Sequence, residues 1–184
     1  MRRAVYTVYT LLAGALIALA CGMPEADGRI GVDPPDRSQF DHVGQFLDRR
    51  CGTLDCHGSN FRNLRVFGCE GLRLDPMDTP RCRKFGGKDT SPAELDATYR
   101  SLVGLEPAVM SAVVEGKGEH PELLTFVRKA RGTEAHKGGT LIQPGDSQDQ
   151  CITSWLAGQT DVAACDSSYP DSAEEEAGTG DAGP

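Results

Sequence analysis

The chain has 184 residues and a formal net charge of −8 at neutral pH. Its basic residues form no long stripe, so a nucleic-acid partner is not expected. Residues 39–165 are enough for one domain with a single core of several helices.

The N-terminus has the pattern of a secretory signal peptide. Arg2 and Arg3 precede an uncharged run over residues 4–20 that ends in small residues. The polar sequence that follows has no basic cluster, which argues against a membrane-spanning helix. Residues 1–20 are therefore predicted to be removed on export.

The segment Ile17-Ala18-Leu19-Ala20-Cys21 resembles a bacterial lipoprotein lipobox, with alanine where leucine is commonest at position 18. The resemblance implies that Cys21 is lipidated and becomes the new N-terminus. It places the protein at the outer membrane or on the periplasmic face, with the membrane as a partner. Residues 21–38 are then the lipidated cysteine and a flexible tether.

The first predicted helix leads into a cysteine-histidine motif. Ser38 and Asp41 form a near capping box. The helix delivers Cys51-Gly-Thr-Leu-Asp-Cys56-His57 at its C-terminal end. Covalent c-type haem needs two thiols that add to its vinyl groups, followed directly by a histidine that binds iron. The motif predicts haem attachment through Cys51 and Cys56 with His57 as proximal ligand, at the less common four-residue spacing.

Assigning Cys21 to lipid leaves six of the seven cysteines for the domain. Outside the cytoplasm such thiols are usually oxidised or bound to a cofactor. Four of them form near pairs, Cys69 with Cys82 and Cys151 with Cys165. The remaining two are left for haem or, if no haem is present, for a third disulfide, so the sequence predicts two or three disulfides.

A long ordered loop and several helices are predicted after the motif. Residues 58–87 show little periodicity, and their arginines, Arg62 and Arg73 among them, are candidates to pair with haem propionates. Helix starts are predicted at Ser91-Pro92-Ala93-Glu94 and at Pro107, and residues 121–131 are interpreted as a further helix.

The last predicted helix begins with Asp146 as its cap and ends at Gly158. Residues 166–184 hold six acidic residues and no basic one. Such a composition lacks the apolar surface needed for folding. This segment is predicted to be a disordered tail.

The order of these parts resembles that of cytochrome c-like lipoproteins of myxobacteria and planctomycetes. In those sequences a Gly-Gly…Pro-Gly-Asp stretch precedes the final helix, and here Gly138-Gly139 and Pro144-Gly145-Asp146 occupy that place. The resemblance covers roughly residues 39–158. It implies a mainly α fold: a small cytochrome c-like domain, residues 39–165, that carries haem c.

The sequence does not assign the sixth iron ligand, because the Met-Pro pair common near the end of class I cytochrome c domains is absent. The candidates are Met77, Met110, His120, His136 or another histidine, unless the sixth position stays unoccupied. His136 ranks first, because it lies in a glycine-flanked loop in the part that resembles the late loop of the family.

Two functions follow from these patterns. The first is a membrane-tethered, extracytoplasmic electron carrier of the c-type cytochrome kind, with a redox partner protein and no catalytic role of its own. The second is a disulfide-stapled lipoprotein that binds another molecule without haem. Hydrolase and zinc-protease motifs are absent. A zinc site of Cys51, Cys56 and His57 is disfavoured by the adjacency of two of its ligands and by oxidising surroundings.

Overall fold

The computed structural model describes residues 32–167. Over this range the chain is mainly helical, as predicted, and its only β pairing consists of two isolated bridges. The signal peptide, Cys21, the tether up to residue 31 and the tail from residue 168 lie outside the described residues. The helices are α1 Asp41–Cys51, α2 Pro92–Val103, α3 Pro107–Glu115, α4 Thr125–Ala130, α5 Ser147–Leu156 and α6 Val162–Ser167.

Two of the three predicted helix caps are confirmed. The Ser91 side chain accepts a hydrogen bond from the backbone of Glu94 in a full capping box, and Asp146 accepts one from Asp149 N. The predicted cap at Ser38 is wrong. Ser38 lies in a 3-10 turn, Arg37–Gln39, where its backbone N–H and hydroxyl both donate to Asp36. Because Ser38 is bonded to the Asp36 carboxylate, its side chain does not cap α1, and α1 begins at Asp41.

The segment predicted as a helix over residues 121–131 is divided in two. A 3-10 turn, Pro121–Leu123, is separated from α4 by Leu124 in an extended conformation. This break turns the Leu124 side chain into the core, where only 1% of it is exposed. The free energy gained by burying Leu124 thus exceeds the free energy that a continuous helix over residues 121–131 would contribute.

The core lies between α1, α2, α5 and α6. Helix α1 packs against α2 and α6, and α5 packs against α6. At the centre, the Phe40 ring lies 5.1 Å from the Trp155 ring and 5.4 Å from the Tyr99 ring, measured between centroids. None of the helices in the described range is long and apolar enough to cross a lipid bilayer.

The packed region extends beyond residues 39–165 at both ends. Tyr99 Oη donates to Pro35 O at 2.7 Å, and Trp155 Nε1 donates to Asp36 O at 3.3 Å, so residues assigned to the tether lie on the core. At the other end α6 continues to Ser167. Backbone carbonyls before α1 thereby satisfy the donors of the half-buried Tyr99 and the buried Trp155, a pairing that short-range patterns do not reveal.

Asp48 on α1 holds the long loop in place. Its buried carboxylate accepts hydrogen bonds from the Thr90 hydroxyl, from Cys69 N at 3.1 Å and from Glu70 N at 3.3 Å. Burial raises the pKa of Asp48, although these three hydrogen bonds act in the opposite direction. Loop and helix are therefore joined through one side chain, three residues before the helix ends at Cys51.

Both predicted disulfides are confirmed: Cys69 pairs with Cys82, and Cys151 pairs with Cys165. They close loops of nearly equal sequence separation, 13 and 14 residues. The first anchors the long loop, and the second joins α5 to α6.

Removing either disulfide is expected to lower the free energy of unfolding by about 3 kcal/mol through the loop-entropy contribution. We expect Cys151→Ala/Cys165→Ala to cost more than Cys69→Ala/Cys82→Ala, because Cys151 and Cys165 are both buried whereas Cys82 is half-buried. Urea unfolding followed by circular dichroism measures both losses. The two loops are nearly equal in length, so their entropy contributions should be the same. Equal losses of stability in the two double variants would therefore contradict an extra packing contribution from Cys151 and Cys165.

Candidate functional site

A cavity of about 530 Å³ lies beside the C-terminal half of α1. This volume is within the range of small-molecule and cofactor sites. Its wall is mainly apolar, which suits a ligand with a large hydrophobic surface. The apolar lining includes Phe46, Leu47, Leu105, Phe126, Leu141 and Ile152.

The cysteine-histidine motif forms a compact turn at the edge of this cavity. His57 N donates to Cys51 O at 2.9 Å, and Cys56 N donates to Thr53 O at 2.9 Å. A side chain at Gly58 would place its Cβ 1.8 Å from Gly52 O, so only glycine permits this close approach. The turn brings Cys51 and His57 onto the cavity wall, whereas Cys56 is not among the residues that line it.

Cys51 and Cys56 are the free cysteines of the described range. Burial raises the pKa of Cys51 to about 12, so its sulfur remains a protonated thiol at neutral pH. The two thiols thus stay available while the other four described cysteines are paired. This is the partition that haem attachment requires.

His57 is oriented by the loop that follows the motif. Its Nδ1 lies 3.1 Å from Leu64 O, and because a carbonyl only accepts hydrogen bonds, Nδ1 carries the proton. The lone pair is therefore on Nε2, the arrangement typical of metal-binding histidines. Burial lowers the pKa of His57, with His136 and Arg62 acting in the same direction and the Leu64 bond opposing them. A neutral imidazole is the form that binds a metal ion.

His136 lies next to His57 in the folded chain. The two ring centroids are 5.9 Å apart, and the ring planes differ by 19°. Both histidines line the cavity. The two imidazoles therefore meet at one cavity, stacked with nearly parallel planes.

The other candidate sixth ligands lie elsewhere. Met110 is buried in the core with 1% exposure, Met77 is 87% exposed, and the exposed His120 pairs with Glu122 at 3.0 Å. None of the three candidates lines the cavity. Of the four candidates, only His136 is placed beside His57.

The structure does not assemble the zinc alternative. In residues 32–167, the one set of three potential ligand atoms within 4.8 Å of one another is Cys69, Glu70 and Cys82. Cys69 and Cys82 in this set are joined to each other by a disulfide. Cys51, Cys56 and His57 do not form such a set.

Three cationic side chains line the cavity: Arg50, Arg62 and Lys129. Arg62 was among the predicted propionate partners, whereas Arg73 is buried in an ion pair with Glu94 and is not available. Arg50 and Lys129 were not predicted from the sequence as lining residues. They lie on different helices, and only the packing of α1 near α4 brings them to one cavity.

Each of these cations is held by backbone carbonyls. Arg50 donates to Leu141 O at 3.2 Å, and Arg62 donates to the carbonyls of Asp55 and Cys56, both at 3.1 Å. Lys129 Nζ donates to the carbonyl of Ala135 at 3.0 Å and also pairs with Glu134 at 3.0 Å. The cations are therefore positioned around the cavity, and Arg62 also links it to the cysteine-histidine turn.

Comparison with known proteins does not assign the chain to a family: no family model, no curated protein and no solved structure matches it.

Proposed function

We propose that this protein is a c-type cytochrome-like electron carrier, with haem attached through Cys51 and Cys56 and His57 as its proximal ligand. The observation that carries the proposal is the pair of imidazoles, His57 and His136, facing one apolar cavity beside two free thiols. His57 directly follows Cys56, as attachment requires. The cationic side chains around the cavity suit the carboxylates of a porphyrin.

The residues present fit haem with one local change. Cys56 lies outside the cavity wall, in the turn between Thr53 and His57. Its backbone is held there by the hydrogen bond to Thr53 O, so attachment of a second thioether requires this turn to rearrange. Cys51 and His57 already lie on the wall.

When bound, haem supplies one-electron oxidation and reduction at iron. His57 from the motif and His136 from the late loop would hold its iron through imidazole nitrogens. The apolar walls would limit water at the site and thereby favour the less charged state of the iron. Arg50 and Arg62 would neutralise acidic groups at the edge.

Export and a lipid on Cys21 form part of the same proposal. They place the electron carrier at the outer membrane or on the periplasmic face, with the membrane and a redox protein as partners. The lipobox-like segment before Cys21 supports this location. Incorporation of a labelled fatty acid, lost in Cys21→Ala, tests it.

Expression with a cytochrome c maturation system is expected to give a Soret band that persists after denaturation, together with the mass of one covalent haem. Cys51→Ala/Cys56→Ala is expected to abolish both signals, because no thioether forms. The matched control, Cys69→Ala/Cys82→Ala, removes two other cysteines and is expected to retain the band. Absorption spectroscopy and intact mass spectrometry provide the readouts.

The second candidate is a binding module without haem. The position of Cys56 away from the cavity wall favours it, as does the 96% exposure of Phe61 at the cavity. A wild-type protein with no Soret band and with a disulfide between Cys51 and Cys56 would reject the cytochrome proposal and support this one.

A further inference from the structure

The two imidazoles at the cavity are held differently. His57 has the Leu64 carbonyl 3.1 Å from its Nδ1, whereas Nδ1 of His136 is buried without a hydrogen-bond partner. A metal-binding histidine usually donates its second N–H to an acceptor, which orients the ring and raises its basicity. Loss of that partner typically weakens metal binding about 10- to 100-fold. His136 is therefore the weaker ligand of the pair.

Gly138 lies against the His136 ring. A Cβ at Gly138 would be 3.1 Å from Cε1, 3.4 Å from Nδ1 and 3.8 Å from Nε2 of that ring. As a glycine it offers no side-chain acceptor to this edge. Nδ1 of His136 is therefore shielded from water but receives no hydrogen bond.

The segment that carries His136 is a short turn between two attachment points. Before it, Ala135 O accepts from Lys129 Nζ at 3.0 Å; after it, Leu141 N donates to Ala130 O at 2.8 Å. Gly139, with φ +70°, completes the turn and has nothing within 4 Å of its Cβ position. Movement of the His136 ring therefore does not require either attachment point to break.

We infer that His136 leaves the iron when a small neutral ligand competes for it, while His57 stays bound. The inference rests on the proposed haem attachment. The lining that His136 shares includes Phe126, Ala130, Leu141 and Ile142. These apolar side chains suit an uncharged diatomic molecule, which needs no charged partner. Besides electron transfer, the protein would then bind an uncharged diatomic ligand reversibly at the iron position that His136 leaves.

The test uses carbon monoxide and the reduced, haem-loaded protein. In the wild type, the binding rate is expected to level off as carbon monoxide concentration rises, because departure of His136 limits it. In His136→Ala the rate is expected to rise linearly with carbon monoxide concentration and to exceed the wild-type plateau, because no side chain has to leave first. His120→Asn, a change at an exposed histidine away from the cavity, is expected to behave as the wild type.

Two results would overturn the inference while leaving haem attachment intact. One is a wild-type protein that does not bind carbon monoxide at saturation, since His136 would then not be displaced. The other is a linear rate in the wild type equal to that of His136→Ala, since His136 would then not be a ligand. A protein without covalent haem would reject the proposed function itself, a result visible before carbon monoxide is added.

Discussion

Trp155→Ala is expected to lower the free energy of unfolding by about 3–5 kcal/mol. The side chain is fully buried, with 0% exposure, and its ring lies 5.1 Å from Phe40 and 6.3 Å from Tyr99. Its Nε1 also donates to Asp36 O at 3.3 Å, which fastens the segment before α1 to α5. Truncation therefore leaves a large cavity at the centre of the domain and removes one of the two hydrogen bonds to Asp36 O, the other coming from Gln39 N.

Urea unfolding monitored by circular dichroism measures this loss, because Trp155 is the only tryptophan and its fluorescence disappears with it. Trp155→Phe retains an aromatic ring without the N–H and is expected to lose less stability than Trp155→Ala. Phe61→Ala, at a side chain with 96% exposure, is expected to change stability by no more than about 0.5 kcal/mol. Similar losses for Trp155→Ala and Phe61→Ala would contradict the assignment of the core.

Arg73→Met is expected to cost about 3–5 kcal/mol, because it leaves the carboxylate of Glu94 buried without its cation. Arg73 Nε lies 2.9 Å from Glu94 Oε1, and the two side chains are only 4% and 2% exposed. The guanidinium also donates to the carbonyls of Lys88 at 2.9 Å and Asp89 at 3.3 Å. One side chain therefore fastens the end of the long loop to the start of α2.

The matched control is Arg83→Met. Arg83 pairs with Asp89 at the same distance, 2.9 Å, but its side chain is 81% exposed. Because solvent screens an exposed pair, this change is expected to cost at most about 1 kcal/mol. The double variant Arg73→Met/Glu94→Gln removes both charges but keeps an oxygen acceptor for Ser91 N, and it is expected to recover part of the loss. If Arg73→Met and Arg83→Met lowered the free energy of unfolding equally, burial of the Arg73–Glu94 pair would not increase its contribution to stability.

The candidate site was partly accessible from local pattern. The spacing of Cys51, Cys56 and His57 predicted a haem motif, and the glycine-flanked position of His136 ranked it first among the possible sixth ligands. The structure brings His136 to His57, although iron binding by either remains a proposal. The cations Arg50 and Lys129 were not foreseen, because nothing in their own sequence neighbourhood distinguishes them from solvated surface residues.

The amino-acid sequence by itself determined features that depend on a few adjacent residues. The capping box at Ser91 and the cap at Asp146 are local hydrogen bonds, and the disulfides join cysteines that are near each other in the chain. Only the tertiary structure decided the partners of Asp48, Arg73 and Trp155 and the meeting of the two imidazoles. These contacts join residues distant in sequence, and which polar groups end up buried together depends on how the whole core packs.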